Sequence, residues 1–262
     1  MTEPAPTRGP EEGSSETGMN TRERQLTEAF VALSDTLAEE VDGLVLLGRL
    51  TRHSVALTGI DAAGVMLVNS RGHLRPTTAT EHTVELTEMW QAQIRQGPCI
   101  DAFNQGVPVH ADELEADRDR WPDFVPLALT AGYRSAHAVP LIVRGETIGA
   151  LNLLAQRPTR LGEAETRMLR ALADVTTTAL MTWKKDSLRA EDIATRTQAV
   201  LSGKAVFDTA TGMLAATADI TPAQAARHVT AFAERHHQRP TDIAADVVRR
   251  RITPGALLGE LS

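Results

Sequence analysis

Two apolar runs, Ala136 to Val143 and Thr147 to Ala155, are separated only by Arg144-Gly145-Glu146, and this block constrains the fold more than any other stretch. Two such runs joined by a tight Gly-containing link predict an antiparallel hairpin at the centre of a sheet. Ala62 to Asn69 reads as a further strand, Gly72 as a turn into a more polar strand over His73 to Ala79, and Val107 to Ala111 as a short one. Helical spacing appears between them. Asn20 with Glu23 forms a capping-box pair ahead of Leu26, Phe30, Leu33 and Leu37, predicting a helix from about Thr21 to Glu40. A second helical run carries Leu44, Leu47, Leu50, Val55 and Leu57 up to Gly59, and a third covers Glu81 to Gln96. The sum is an antiparallel α+β domain.

From Glu163 to Ser202 there is no Gly or Pro in 40 residues. One helix, or two nearly continuous ones, follows, with a span of roughly 60 Å at about 1.5 Å per residue. Leu161, Met168, Leu172, Val175 and Ala179 form one apolar stripe, widened by Leu169, Leu180 and Trp183. A helix apolar on more than one side covers the sheet and meets something else, for which the same helix of a second subunit is the natural candidate. A homodimer is the expectation. Beyond it, three short helices are predicted: about Thr195 to Ala216, one opened by the cap Thr221-Pro222-Ala223-Gln224, and one from Pro240-Thr241 onward. The expected organisation is a disordered tail over 1–19, a sensor domain with its N-terminal helix over 20–182, a connecting helix or coiled coil over 183–198, a helical bundle over 199–252 and a C-terminal tail over 253–262.

Composition narrows the function. No apolar run in the 262 residues reaches the roughly 18 residues of a membrane helix, and the N-terminus MTEPAPTRGPEEGSSETG has no apolar core of a secretory signal, so a cytoplasmic protein is expected. Cys99 is the single cysteine, which excludes an intramolecular disulfide framework and a Cys-based structural zinc site. The net charge of −7 argues against a surface that binds nucleic acid all over. The charge is uneven, however: from Thr195 onward eight Lys/Arg against six Asp/Glu give +2 and leave −9 for the rest. No GxxxxGK[ST], HExxH or GxSxG occurs, and His53, His73, His82 and His110 lack metal-ligand spacing, so neither catalysis nor a metal is expected.

Residues from about 43 to 182 resemble a GAF domain of the type found in actinobacterial regulators. The resemblance rests on GPCIDAF (Gly97 to Phe103), GVPVHADEL (Gly106 to Leu114), RWPDF (Arg120 to Phe124), AGYRSAHAVPL (Ala131 to Leu141) and GETIGALNLL (Gly145 to Leu154), in that order. It implies a central antiparallel sheet, with helices on one face and a small-molecule pocket on the other. Residues 199–248 resemble the ANTAR domain, a three-helix RNA-binding module of transcription antitermination regulators. Its first helix favours a pattern close to ALxSRxxIxxAKGxLM. Here Ala210, Gly212 and Leu214 match, Lys204 keeps the charge of the usual Arg, and Thr211 replaces the usual Lys. His237 stands where Asn is usual and Pro240 where Leu is usual, while Asp242-Ile243-Ala244 and Val247-Val248 fit.

The two resemblances together imply a signal-responsive antitermination regulator whose partners are a stem-loop in nascent RNA and a small-molecule ligand. Lys204, Arg227, Arg235, Arg239, Arg249, Arg250 and Arg251 are the residues to meet RNA phosphates, though the same charges also fit solvated helix faces. Phe207 and Phe232 lie in apolar stripes, so recognition would rest on shape and backbone rather than base stacking. Gly212 is expected to permit close helix contact. The sensor pocket would draw on Met66, Trp90, Cys99, Phe124, Tyr133 and His137, which read equally well as core or lid residues. Its ligand is unknown: the residues of cyclic-nucleotide binders are missing, and Ile100 rather than His follows Cys99, which disfavours a bilin. Methionine sulfoxide reduction, known for some GAF domains, needs a resolving cysteine that one Cys cannot supply. The alternative reading is a dimeric signalling scaffold whose bundle binds protein.

Overall fold

Arg144 and Gly145 both take positive φ (51° and 85°), the geometry of a two-residue turn that matches strand twist, and they close the hairpin of β4 (Ser135–Val143) and β5 (Glu146–Ala155). The computed structural model describes residues 13–34, 42–181 and 190–259. β1 (Ala62–Val68), β2 (Leu74–Ala79) and the short β3 (Val109–Ala111) complete a five-stranded sheet of order β2-β1-β5-β4-β3, antiparallel throughout. The hairpin is central, as its two-sided apolar content requires.

Alternation along the strands gives the two faces different jobs. Ala63, Val65, Leu67, Val139, Leu141, Leu151 and Leu153 point into a core shared with α1 (Gly13–Ser34), α2 (Gly43–Thr58) and α6 (Glu163–Met181). On the other face stand mostly small residues, Ala62, Gly64, Ala136, Ala138 and Ala150. Their size lets α3 (His82–Ile94), α4 (Pro98–Gln105) and α5 (Phe124–Thr130) lie close to the strands. Helices thus cover both faces, where the resemblance implied one. α4 and α5 are not foreseen by periodicity because eight and seven residues are too few to show it. The ends of α4 are nonetheless written in the sequence, with Pro98 at its first position and Gly106 at φ 68° after its last.

The C-terminal segment forms α7 (Ala190–Ala218), α8 (Pro222–Arg235), α9 (Pro240–Val248) and α10 (Pro254–Gly259). Ala210, Leu214, Val229, Phe232, Ile243 and Val247 make its own core. The predicted capping box is present, with Gln224 N donating to Thr221 Oγ1 at 3.2 Å and Thr221 N donating to Gln224 Oε1 at 2.8 Å. Among the described residues no helix is long and apolar enough to cross a membrane.

Several expectations are corrected. Asn20 lies inside α1, whose helix runs back to Gly13, so residues 13–19 are not a disordered tail; residues 1–12 lie outside the described residues. Residues 253–259 are not a tail either, because Leu257 of α10 is fully buried in the bundle. The 60 Å rod does not form. A Cβ on Gly43 would stand 2.6 Å from Val200 and 3.1 Å from Leu180. In one straight helix those two residues would be about 30 Å apart. α6 and α7 therefore do not form one straight helix; residues 182–189, with Trp183 and part of the predicted connector, lie outside the described residues. Leu169, Leu172, Ala179 and Leu180 pack against α1 and α2, and Ile193 of α7 joins the same core. The apolar stripe that motivates a homodimer is thus covered within the chain.

Gly212 does not serve a close contact. It is exposed, and a Cβ there would meet nothing within 4 Å; the close approach in α7 is at Gly203, against Thr241 of α9. Gly212→Ala is therefore expected to stabilise the protein by about 0.5–1 kcal/mol, read as a shift in urea midpoint, because only backbone entropy is at stake. A loss of stability would mean that the bundle needs the glycine for another reason.

Candidate functional site

The inward positions of α3 are Val84, Thr87, Glu88 and Gln91, and they bring polar groups onto the small-residue face of the sheet. A Cβ on Gly64 would run into the Glu88 carboxylate, so this glycine is the seat of that side chain. Asn152 Nδ2 of β5 donates to Glu88 Oε1 at 2.8 Å, while Glu88 Oε2 makes no hydrogen bond among the described residues. Burial pushes the Glu88 carboxyl up to about 8, with neighbouring Glu85 adding to the shift against the opposing Asn152 bond. Glu88 is therefore largely protonated at neutral pH. Beside it, the backbone N–H of Cys99 donates to Gln91 Oε1 at 3.1 Å, and its thiol lies 3.3 Å from the Met66 sulfur. Burial raises the thiol pKa well above the usual cysteine range, so Cys99 is no thiolate and reads as core.

The six residues expected to line one pocket do not meet. Met66 and Cys99 pack with Leu74 and Ala150 in one closed cluster, and Phe124 and Tyr133 with Trp121 in another. Trp90 is half-buried on α3. His137 is on the opposite sheet face: its cross-strand neighbour is His110, the two Nδ1 atoms are 3.1 Å apart, and its Nε2 lies 3.1 Å from the Thr159 carbonyl oxygen. Burial, with some help from His110, lowers the His137 pKa to about 4, which leaves it neutral at pH 7. Large apolar and aromatic side chains were drawn into the cores because burial favours them most.

An open cavity bounded by described residues lies at the β2 edge. A cavity of about 360 Å³ is bounded by the β1–β2 turn and β2 (Gly72 to Pro76), by Met89, Ala92, Gln93 and Arg95 of α3 and its end, and by Ile100, Phe103 and Asn104 of α4. None of the six expected residues lines it. Gly72 (φ 77°) makes the turn, and Arg95 ends α3 in the left-handed conformation (φ 57°).

Both of these walls also hold α7. Glu85, one turn before Glu88 on α3, accepts a hydrogen bond from Lys204 Nζ at 3.0 Å, and Asp208 accepts a second at 2.9 Å. Burial alone would lower the Lys204 pKa, but the Asp208 and Glu85 carboxylates outweigh it and hold it above the usual lysine value. On the other wall the Ser70 N–H of the β1–β2 turn donates to Gln198 Oε1 at 3.4 Å. Further along, Asp42 caps two helices at once. Its Oδ1 accepts from Leu44 N of α2 at 2.9 Å, and its Oδ2 accepts from Thr241 N and Oγ1 of α9 at 3.1 and 2.8 Å.

The predicted RNA-facing residues divide into two groups. Lys204 is occupied as described, Arg239 pairs with Asp242 at 2.7 Å, Arg251 with Asp246 at 3.3 Å, and Arg235 lies over the Phe232 ring. Arg227, Arg249 and Arg250 are exposed and form no ion pair among the described residues. Thr211 is buried and donates to the Asp208 carbonyl at 2.9 Å. Sequence reasoning missed Asp42, Glu85, Glu88 and Asn152. Glu88 had a signal, since it falls four residues after Val84 on the inward stripe of its helix.

The GPCIDAF and RWPDF segments are tied together by Asp101, which accepts from Arg120 Nη2 at 2.8 Å and from the Trp121 indole N–H at 3.2 Å. The sequence model of the GAF domain matches residues 45–181. No curated protein matched the chain. Among solved structures, it is similar to the GAF domain of an Acinetobacter phosphoenolpyruvate-protein phosphotransferase, at 15% identity over 63% of this chain and 93% of that one, with a TM-score of 0.46. It is also similar to the free methionine-R-sulfoxide reductase of Neisseria meningitidis (19% identity, 64% and 92% covered, TM-score 0.46). A third is the GAF domain region of a Geobacter sulfurreducens membrane protein (19%, 53% and 93%, TM-score 0.47). With an antiparallel five-stranded α+β domain followed by a helical region, and with more than half of its length matched by the family's sequence model, this chain belongs to the GAF domain family.

Proposed function

We propose that this protein is a signal-responsive transcription antitermination regulator, in which the GAF domain senses a small molecule and the C-terminal ANTAR-like bundle binds a stem-loop in nascent RNA. The observation that carries the reading is the double duty of α7. It supplies Ala210 and Leu214 to the bundle core, and it is also held by Glu85 of α3 and by the β1–β2 turn. A change in the sensor thus acts directly on the helix that resembles the first ANTAR helix. Arg227, Arg249 and Arg250 are the phosphate-contacting residues of this reading, and Lys204 joins them once it leaves Glu85.

Selection of RNA ligands on the full chain, repeated at several salt concentrations, tests it. The expected result is enrichment of stem-loops whose affinity falls steeply with salt, because each phosphate contact releases counterions. Replacing Arg227, Arg249 and Arg250 together with Gln is expected to weaken binding about tenfold or more and to flatten the salt dependence. No enrichment, or affinity indifferent to salt, would refute RNA binding. Protein binding by the bundle, the scaffold reading, is favoured by one observation: Lys204 and Thr211, at the two positions where the family pattern is basic, are both engaged within the chain.

A further inference from the structure

We infer that the cavity at the β2 edge binds an anionic amphiphile, a small molecule with a carboxylate or phosphate head on an apolar body. This names the ligand class for the sensing role proposed above and rests on that reading. The cavity walls divide by chemistry. Leu74, Ile100, Phe103 and Met89 supply apolar surface, and Met89 leaves half of its side chain open to a ligand, being 52% exposed. Arg75 and Arg95 supply charge. Both are exposed, both line the same cavity, and neither pairs with a carboxylate among the described residues; the lining contains no Asp or Glu. In a chain of net charge −7, two unneutralised guanidiniums on one cavity stand out.

Guanidinium matches the planar, bidentate geometry of carboxylate and phosphate oxygens better than any other side chain. His73, Gln93 and Asn104 add hydrogen-bonding groups around the same space. A volume of about 360 Å³ is at the small end of ligand pockets, which favours a compact molecule over a nucleotide-sized one. A cation is disfavoured by the two arginines, and a neutral apolar molecule would leave both without a partner. The same walls grip α7 through Glu85 and Ser70, so filling the cavity loads the contacts that hold the bundle.

Isothermal titration of the full chain with octanoate, octyl phosphate, octan-1-ol and octyltrimethylammonium tests the inference. Octanoate or octyl phosphate is expected to bind one-to-one and at least tenfold tighter than the other two, and the preferred head group tells the two anion types apart. The Arg75→Gln/Arg95→Gln variant is expected to lose at least tenfold of that affinity while keeping the circular dichroism spectrum of the parent. Phe103→Ala, which keeps both charges, is expected to weaken the anions and shorten the chain-length preference. Equal binding of octan-1-ol, absence of binding by both anions, or unchanged affinity in the double Arg variant would overturn it. Because no RNA is present, failure here is distinct from failure of the antitermination reading, which the RNA selection decides.

Discussion

Replacing Glu88 with Gln is expected to make the protein markedly more stable at pH 9 and to leave its stability nearly unchanged at pH 4. The folded-state pKa of Glu88 is raised from 4.5 to about 8 by its burial over Gly64. Below pH 4.5 the carboxyl is protonated in both the folded and the unfolded chain, so nothing is lost there. Between 4.5 and 8 the folded chain keeps a proton that the unfolded chain has released, and the stability contributed by this group falls by roughly 1.4 kcal/mol per pH unit. Above 8 the loss is complete. Gln retains an oxygen for Asn152 Nδ2 and does not titrate, so urea unfolding of the variant should show a flatter decline from pH 5 to 8, with a gap of a few kcal/mol at pH 9 as a ceiling. An identical slope in the two proteins would mean that Glu88 is ionised and solvated at neutral pH.

Asp42→Ala is the second change with a large expected effect. It removes the cap of α2, a loss of about 1 kcal/mol, and leaves the Thr241 N–H and hydroxyl at the start of α9 without their charged acceptor, which costs roughly 1–3 kcal/mol more. Thr241→Val removes the hydroxyl bond and keeps the α2 cap, so a double-mutant cycle isolates the contact between the two parts. Hydrogen exchange gives an independent readout. Amides of α9 and of α7 around Val200 should exchange faster in Asp42→Ala, while those of β4 and β5 remain protected. A total loss near 1 kcal/mol with unchanged exchange in α9 would show that the carboxylate caps α2 alone.

Both predictions depend on residues that sequence patterns left unmarked. The hairpin and β1 were legible as continuous apolar runs, β2 from the turn at Gly72, α2 and α3 from apolar spacing near 3.6 residues, and the bundle because Thr221-Pro222-Ala223-Gln224 is an unambiguous helix start. α4 was too short for periodicity to register, and Asp42 looked like part of a break between helices. Aromatic and sulfur-bearing residues suggested a pocket because such residues line pockets, but Met66, Cys99, Phe124 and Tyr133 are closed inside two cores. The open cavity draws instead on Arg75, Gln93 and Arg95 together with Leu74, Met89 and Phe103, residues from three separate elements that no short-range pattern brings together. The expected single rod fails for a related reason: absence of Gly and Pro permits a long helix but does not compel one.

The approach of both α6 and α7 to Gly43 of α2 has a mechanical consequence. A straight coiled coil can convey a message as torque, with a twist at one end reappearing at the other. Here Leu180 and Val200 touch the same glycine, so no such shaft joins the two parts, and rotation of α6 has no axis along which to reach α9. Any message passes sideways, across interdigitated side chains that hold one register or let go of it.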